Sequence, residues 1–276
     1  FQDLSININP GGIYGLLGKN GAGKTSLLRI MAGLLSPQAG AATAFGRPVR
    51  RRHPDTLTDI FFVPEEFFLP PITGEQYVKA YAPFYPAFSR EVFDDCSGEF
   101  AVDTSAKLTT LSYGQRKKFL VTFALATGSR LVLFDEPTNG LDIPSKSQLR
   151  RLLVTHLTDD RAFIVSTHQV RDLSNVIDPI VMIDNGRIVF EYSVAEIDGS
   201  LRSRVAREPD EEITIYREEA LGGYAVIEKA PASGDEQVDV ELLFNAVTER
   251  PEAVAAAISY NRPEHAGYTT ARQEEE

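Results

Sequence analysis

A glycine-rich stretch near the start of the chain has the residue types and spacing of a phosphate-binding loop. Residues 18–25 read GKNGAGKT, which fits the pattern G-x-x-x-x-G-K-[ST] between an apolar run and a segment with helical periodicity. In such a loop, successive backbone N–H groups point at phosphate oxygens, and the helix that follows adds partial positive charge. We therefore predict a nucleotide-phosphate site formed by Gly18, Lys19, Asn20, Gly21, Ala22, Gly23, Lys24, Thr25 and Ser26.

Two side chains of this loop carry specific chemistry. The Lys24 ammonium is predicted to reach the β- and γ-phosphates, and the Thr25 hydroxyl is predicted to bind Mg²⁺. A glycine-rich turn without any ligand is the alternative interpretation. The agreement of the pattern with a preceding strand and a following helix favours nucleotide binding.

An acidic pair follows a second apolar run. The segment LVLFDEP, residues 131–137, ends a predicted buried strand in Asp135 and Glu136. Asp135 is placed to hold Mg²⁺ through water, and Glu136 is placed to orient or deprotonate an attacking water. Alone, two acids after a strand indicate no more than a polar strand end. Together with the phosphate loop, they predict nucleotide hydrolysis.

These residues need a sheet that brings strand ends together, and the pattern up to about Phe190 predicts one. Short apolar runs alternate with amphipathic segments, which is typical of an α/β layer fold with a largely parallel sheet. The turn Asp184-Asn185-Gly186-Arg187 predicts a hairpin that closes the first domain. The predicted strands are 13–17, 131–134, 163–166 and an N-terminal strand through Leu4, Ile6 and Ile8, and the predicted helices are 24–34, 115–127 and 144–157.

Two regions depart from this alternation. Between Pro64 and Tyr113 the sequence is rich in aromatic residues and proline, and we expect a helical insertion with exposed apolar surface. After residue 191, strands at 213–216 and 224–228 precede helices in the segments VDVELLFNAV and PEAVAAAIS. This second region is predicted to be a small α+β extension.

The segment that identifies a family lies just before the acidic strand. LSYGQRKK, residues 111–118, resembles the signature LSGGQ of the nucleotide-binding subunits of ABC transporters. The order of motifs along the chain also matches that family: the phosphate loop, this segment, EPTNGLD and STH. The resemblance covers about residues 1–190. It implies a P-loop NTPase core of RecA-like type with an antiparallel β subdomain and an α-helical subdomain. The expected domains are 1–195, with the helical subdomain at about 66–115, and a C-terminal extension at 196–276.

The resemblance also implies roles for residues outside the phosphate loop. Ser112, Gly114 and Gln115 should contact the γ-phosphate of an ATP held by the phosphate loop of a second subunit, in a homodimer or heterodimer. A serine hydroxyl and the N–H groups at a helix start suit an anion. His168 should bond the γ-phosphate and hold the water, although a lone histidine at a strand end is by itself more often structural. With Glu136 it forms the expected catalytic pair of an ATPase.

The sequence departs from the family pattern at three places. Position 65, where the family usually has glutamine, is Glu65, which we expect to bind Mg²⁺ or a water. Tyr113 replaces the first glycine of the signature, and its side chain is expected to point away from the phosphate. The aromatic residue that stacks on adenine in this family is expected upstream of Phe1, outside this sequence.

The resemblance places the contact with a membrane permease in the helical insertion. The expected function is that of an ATP-hydrolysing subunit, binding ATP and Mg²⁺, that energises a separate permease through ATP-driven dimer closure. A soluble ABC-type ATPase that acts on the ribosome or on nucleic acid is the alternative. For any single aromatic of the insertion, packing in the core is an equally good interpretation. The candidates for the permease contact are Phe67, Phe68, Leu69, Tyr77, Tyr81, Phe84 and Tyr85.

Charge and composition weigh against the alternative. The net charge is -11, and residues 191–276 hold 20 of the 39 acidic groups but only 8 of the 28 basic ones. Nucleic-acid binders need clustered Lys and Arg, so we expect no nucleic-acid partner. The longest strongly apolar uncharged run, 119–129, is shorter than the about 20 residues that span a bilayer, and the single cysteine, Cys96, excludes an intramolecular disulfide. Together with the permease contact that the resemblance implies, these features lead us to expect a cytoplasmic protein, peripheral on the inner face of the cell membrane through the permease.

Overall fold

The computed structural model describes residues 1–229 and 237–260. The chain divides into two compact units, Phe1–Glu191 and a second unit that begins at Tyr192. The strands are β1 (Ile13–Leu17), β2 (Thr43–Ala44), β3 (Arg47–Pro48), β4 (Ile60–Val63), β5 (Leu131–Asp135), β6 (Ala162–Thr167), β7 (Ile180–Asp184), β8 (Arg187–Tyr192), β9 (Leu201–Ala206), β10 (Thr214–Ala220) and β11 (Gly223–Lys229). The α-helices are α1 (Lys24–Met31), α2 (Pro54–Leu57), α3 (Gly74–Tyr81), α4 (Arg90–Glu99), α5 (Tyr113–Ala126), α6 (Ile143–Thr155), α7 (Val194–Asp198), α8 (Val240–Glu249) and α9 (Pro251–Tyr260).

A mainly parallel sheet forms the centre of the first unit, in the strand order β4-β5-β6-β1-β7-β8. The five strands from β4 to β7 in this order pair in parallel. Every residue of β1 and β6 is buried, as expected for a parallel sheet covered on both faces. The carboxyl ends of β1, β4, β5 and β6 therefore meet at one edge, where ligands bind in such sheets. The α/β fold class predicted from the sequence is confirmed.

The ends of several predicted elements differ from the structure. The N-terminal strand through Leu4, Ile6 and Ile8 is wrong, because the described residues before β1 contain no strand. These three side chains pack against the core. The alternating pattern arises because one face of this segment is buried, although the segment pairs with no strand. Helix α1 ends at Met31, three residues early, because Gly33 adopts a φ of 66° and turns the chain.

The region predicted to be a helical insertion contains α3 and α4 and leads into α5. Ser112 caps α5, and its Oγ accepts the Gln115 N–H at 3.3 Å. The Tyr77 ring of α3 packs edge-on against Phe119 and Phe123 of α5, with centroids 5.2 and 5.1 Å apart. Helix α5 is buried on most of its circumference and so joins the helical region to the sheet.

The second unit contains an antiparallel sheet in the order β10-β11-β9, with α8 packed against β10 and β11. This is the α+β arrangement predicted for the extension. Strand β9 was not predicted, because Arg202 and Arg204 interrupt its apolar pattern. Both arginines pair with the fully buried carboxylate of Glu228 on β11, at 2.8 and 2.7 Å. No helix in the described ranges is long and apolar enough to cross a membrane.

Candidate active site

The phosphate loop joins the end of β1 to the start of α1. The helix begins at Lys24, and Gly23 before it adopts a φ of 108°, a left-handed conformation that residues with a Cβ rarely adopt. No side chain of the described residues caps this helix, so its first N–H groups have no side-chain acceptor. An uncapped helix start behind a left-handed glycine is a cradle for an anion, and it fits a nucleotide phosphate.

Lys24 lies across this loop with its side chain only 8% exposed. Its Nζ donates to the carbonyl oxygen of Gly18 at 2.7 Å and to that of Lys19 at 3.3 Å. The same ammonium lies 3.7 Å from Oε1 of Glu136. The loop therefore holds a cation beside the acidic end of β5, where it can attract a phosphate.

Asp135 ends β5 and is buried, with one oxygen bonded and one without a partner. Ser166 Oγ on β6 donates to Oδ1 at 2.6 Å, whereas Oδ2 has no hydrogen-bond partner among the described residues. Buried polar atoms normally have partners, and carboxylate oxygen is a ligand that Mg²⁺ prefers, so Asp135 fits a metal ion. The described part of the chain gathers no group of three or more His, Cys, Asp or Glu side chains around one point.

Glu136 and His168 are in direct contact. Glu136 is 4% exposed and adopts a φ of 47°, and its N–H donates to the Ser166 carbonyl at 3.1 Å. Strained conformations of this kind cluster at functional sites. Its Oε1 lies 2.8 Å from Nδ1 of His168, and its Oε2 accepts the His168 N–H at 3.4 Å. The contact through Nδ1 orients the imidazole so that Nε2 faces away from Glu136.

Glu65 follows β4 and is held by side chains from two other segments, the turn after β5 and helix α5. Asn139 Nδ2 donates to its carboxylate Oε1 at 2.8 Å. Its backbone carbonyl accepts from the Tyr113 hydroxyl at 2.8 Å and from Lys117 Nζ at 3.1 Å. Sequence reasoning did not identify Asn139, Lys117 or Ser166 as site residues, although they lie inside EPTNGLD, LSYGQRKK and the start of STH.

Lys117 is a fully buried lysine near the predicted metal ligands. Burial lowers the pKa of its ammonium to about 8, although the negative charges of Glu65, Asp135 and Glu136 act in the opposite direction. Its Nζ lies 5.2 Å from the centre of the Phe67 ring. The acidic end of the sheet therefore has a second cation beside it, besides Lys24.

The signature segment packs against the turn that follows Glu136. A Cβ on Gly114 would lie 2.8 Å from the Gly140 carbonyl oxygen, so the missing side chain permits this close approach. Within the described residues, no hydrogen bond or ion pair joins Ser112, Gly114 or Gln115 to the phosphate loop of the same chain. Among the described residues, no hydrogen bond or ion pair therefore joins the two predicted parts of the nucleotide site within one chain.

The candidate residues for a permease contact divide by exposure. Phe68 is 83% exposed, Phe84 66% and Tyr81 40%. Leu69 and Tyr77 are buried and belong to the core. For these two residues, core packing is therefore the correct one of the two interpretations, packing in the core or contact with a permease, that the sequence left open. The exposed aromatics remain as the candidates for a contact with a partner.

Comparison with known proteins connects this geometry to a family. Residues 1–139 match the family profile described as ABC transporter. The ABC transporter ATP-binding protein NatA of Bacillus subtilis is 28% identical over 209 residues, which are 73% of this chain and 85% of NatA. The Nod factor export ATP-binding protein I of Rhizobium etli is 30% identical over 194 residues, 68% of this chain and 61% of that protein. A dimeric, post-hydrolysis structure of the ATP-binding cassette MJ0796, bound to ADP and Pi, matches with a TM-score of 0.60 at 25% identity, over 69% of this chain and 88% of that one.

Proposed function

This chain belongs to the ABC transporter family, and on that premise we propose that it is an ATP-hydrolysing subunit that energises a separate membrane permease. Two relatives support this function over a role on the ribosome or on nucleic acid: NatA, named as an ABC transporter ATP-binding protein, and Nod factor export ATP-binding protein I. The observation that carries the proposal is the contact of Glu136 with both Lys24, at 3.7 Å, and His168, at 2.8 Å. One cation, one carboxylate and one oriented imidazole suit transfer of a phosphoryl group to water.

In the proposed mechanism, each of these groups has a separate task. Lys24 binds the β- and γ-phosphates and stabilises the charge that develops during transfer. Glu136 orients the attacking water and accepts its proton, which requires an ionised carboxylate at the site. His168 holds Glu136 through Nδ1 and contacts the γ-phosphate or the water through Nε2. The backbone N–H groups of the loop and of the first turn of α1 bind phosphate oxygens.

Mg²⁺ bound with ATP would neutralise phosphate charge and polarise the phosphoryl group. Thr25, Asp135 and Glu65 are the residues proposed to hold it. The unpaired, buried Oδ2 of Asp135 supports this assignment. Glu65 supplies its carboxylate from the end of β4, where the Asn139 amide orients it.

We further propose that two subunits share each nucleotide. Ser112, Gly114 and Gln115 would contact an ATP on the phosphate loop of the other subunit, in a homodimer or heterodimer. The lack of a bond between these residues and the loop of the same chain, within the described residues, supports this arrangement. The dimeric cassette structures support it as well. ATP would close such a dimer, and hydrolysis would reopen it.

The exposed aromatics Phe68, Tyr81 and Phe84 are the proposed contact with the permease. Exposed patches of apolar side chains usually mark a partner site, and all three residues belong to the region between β4 and α5. This contact would place the chain on the cytoplasmic face of the membrane.

A capture experiment tests the proposed function. The Glu136→Gln chain, held in ATP, is expected to retain a membrane protein with several spans from detergent-solubilised membranes. The same chain with Phe68→Ser added is expected to lose that protein and to keep its ATP affinity. Capture of ribosomes without a membrane protein, or equal capture by both chains, would contradict the proposal.

A further inference from the structure

We propose that Lys117 and Tyr113 are positioning residues that fix the backbone at Glu65 and thereby hold its carboxylate at the metal-binding end of β4. The inference rests on the proposed function, because it concerns Mg²⁺ at the same site. It assigns a task to a buried lysine and to a tyrosine that replaces a signature glycine, neither of which the proposed hydrolysis uses directly.

Two side chains of α5 converge on one carbonyl group. Lys117 Nζ donates to the carbonyl oxygen of Glu65 at 3.1 Å and to that of Pro64 at 3.4 Å. The Tyr113 hydroxyl donates to the same Glu65 oxygen at 2.8 Å. Residues four apart lie on one face of a helix, and a carbonyl oxygen has two lone pairs, so both bonds form together. The chain after β4 is therefore attached to α5 at two successive carbonyl groups, with both side chains bonded to that of Glu65.

Two aromatic rings lie beside the Lys117 ammonium. The Phe67 ring stacks on Tyr113 with centroids 5.6 Å apart and an angle of 28°. The Lys117 ammonium lies 5.2 Å from the centre of the Phe67 ring and 5.7 Å from that of Tyr113. Ring faces attract a cation and partly replace the water that a buried ammonium loses. Lys117 is fully buried and is held between these rings and its carbonyl partners.

The carboxylate of Glu65 is held by a different segment, the turn after β5. Asn139, three residues after Glu136, donates to Oε1 at 2.8 Å, and its own Oδ1 accepts from Gln169 Nε2 at 3.4 Å. Gln169 directly follows His168. With both its carbonyl and its carboxylate held, Glu65 has little freedom to turn. Loss of the bonds from α5 would free the backbone and let the carboxylate leave the metal.

The charges near Lys117 agree with this task. The carboxylates of Glu65, Asp135 and Glu136 all act electrostatically on its ammonium. A cation at this place reduces the repulsion among three carboxylates while no metal is bound. A buried apolar side chain of the same volume would fill the space. It would neither reduce the repulsion among the carboxylates nor donate hydrogen bonds to the carbonyl groups of Pro64 and Glu65.

The test measures how strongly Mg²⁺ promotes nucleotide binding, in the absence of hydrolysis. The probe is a fluorescent, non-hydrolysable ATP analogue, and its Kd is measured for each full-length chain with saturating Mg²⁺ and with excess EDTA. The ratio of the two Kd values is the metal coupling. Lys117→Met keeps the side-chain length and removes the ammonium, and Tyr113→Phe keeps the ring and removes the hydroxyl. Lys118→Met is the matched control, because the Lys118 ammonium lies over the Phe100 ring, 5.8 Å from its centre.

Lys117→Met is expected to reduce the metal coupling about fivefold or more, and Tyr113→Phe about two- to tenfold, the range that loss of a hydrogen bond produces. The Kd in EDTA is expected to change by less than about twofold, because neither side chain touches the phosphate loop. Lys118→Met should match the wild type in both conditions.

Unchanged metal coupling in Lys117→Met, or an equal loss of affinity with Mg²⁺ and with EDTA, would overturn the inference. If Lys117→Met does not fold, Tyr113→Phe decides alone, since it removes only a hydroxyl from a partly exposed side chain. A wild-type chain that fails to bind the analogue, or binds it without any effect of Mg²⁺, would instead refute the proposed function.

Discussion

Replacement of Glu136 by glutamine separates the charge of this residue from its shape. Glutamine keeps the length and one oxygen, which can still accept from His168 Nδ1 where Glu136 does, at 2.8 Å. Lys24 keeps its bonds to the carbonyls of Gly18 and Lys19, at 2.7 and 3.3 Å. We therefore expect a native fold with a free energy of unfolding within about 1 kcal/mol of the wild type.

The chemical step, in contrast, loses its base. A carboxamide does not accept a proton at neutral pH, and a positioned base contributes about 10²- to 10⁴-fold to a rate. At about 1.36 kcal/mol per factor of ten, the barrier rises by about 2.7 to 5.4 kcal/mol. ATP affinity should change little, because the phosphates are assigned to the loop and to Lys24.

Phosphate release at saturating Mg²⁺ and ATP measures the effect, and equilibrium binding of the ATP analogue measures affinity. Glu66→Gln is the matched control, because Glu66 is an exposed acid outside the site. A Glu136→Gln chain that keeps more than about a tenth of the wild-type rate would refute the assignment of Glu136 as the base. An equal loss in Glu66→Gln would refute it too.

Two further outcomes concern packing and thiol chemistry. Gly114→Ala should lower the free energy of unfolding by about 1–3 kcal/mol, because the added Cβ would lie 2.8 Å from the Gly140 carbonyl oxygen. Gly98→Ala in α4 should raise the free energy of unfolding by about 0.5–1 kcal/mol, because its Cβ would meet no atom within 4 Å and alanine favours a helix more than glycine does. Urea unfolding of both variants checks this, and equal changes would contradict the packing described for α5. Burial raises the pKa of the Cys96 thiol to about 12, so at about pH 8 iodoacetamide should label it about a thousandfold more slowly in the folded chain than in urea. Similar rates in both states would show that Cys96 is accessible.

The central sheet was predictable because its strands are continuous apolar runs. Strands β1, β5 and β6 lie within a residue of their predicted ends, since burial on both faces leaves no alternation to misread. The alternation at Leu4, Ile6 and Ile8 led to a wrong prediction of a strand. A segment that packs on one side shows the same alternation whether or not it forms the hydrogen bonds of a sheet. Strand β9 escaped prediction because its arginines are held by Glu228, a partner on another strand.

The site divides in the same way. The phosphate loop and the acidic pair are contiguous motifs, so their residue types and spacing are readable in the sequence. Lys117 and Asn139 contact Glu65 across 52 and 74 residues of chain. No local pattern encodes such contacts, because they arise from the way α5 and the turn after β5 pack beside β4.

The central claim is that the loop at residues 18–26 holds a triphosphate. Equilibrium binding of the Mg²⁺-bound ATP analogue to wild type, Lys24→Met and Lys107→Met tests this claim most directly. Lys107 is an exposed lysine in the helical region and serves as the control for loss of a positive charge. We predict that wild type and Lys107→Met bind alike and that Lys24→Met binds at least about tenfold more weakly, as loss of a hydrogen bond to a charged group implies. Equal affinity in all three chains would contradict the claim.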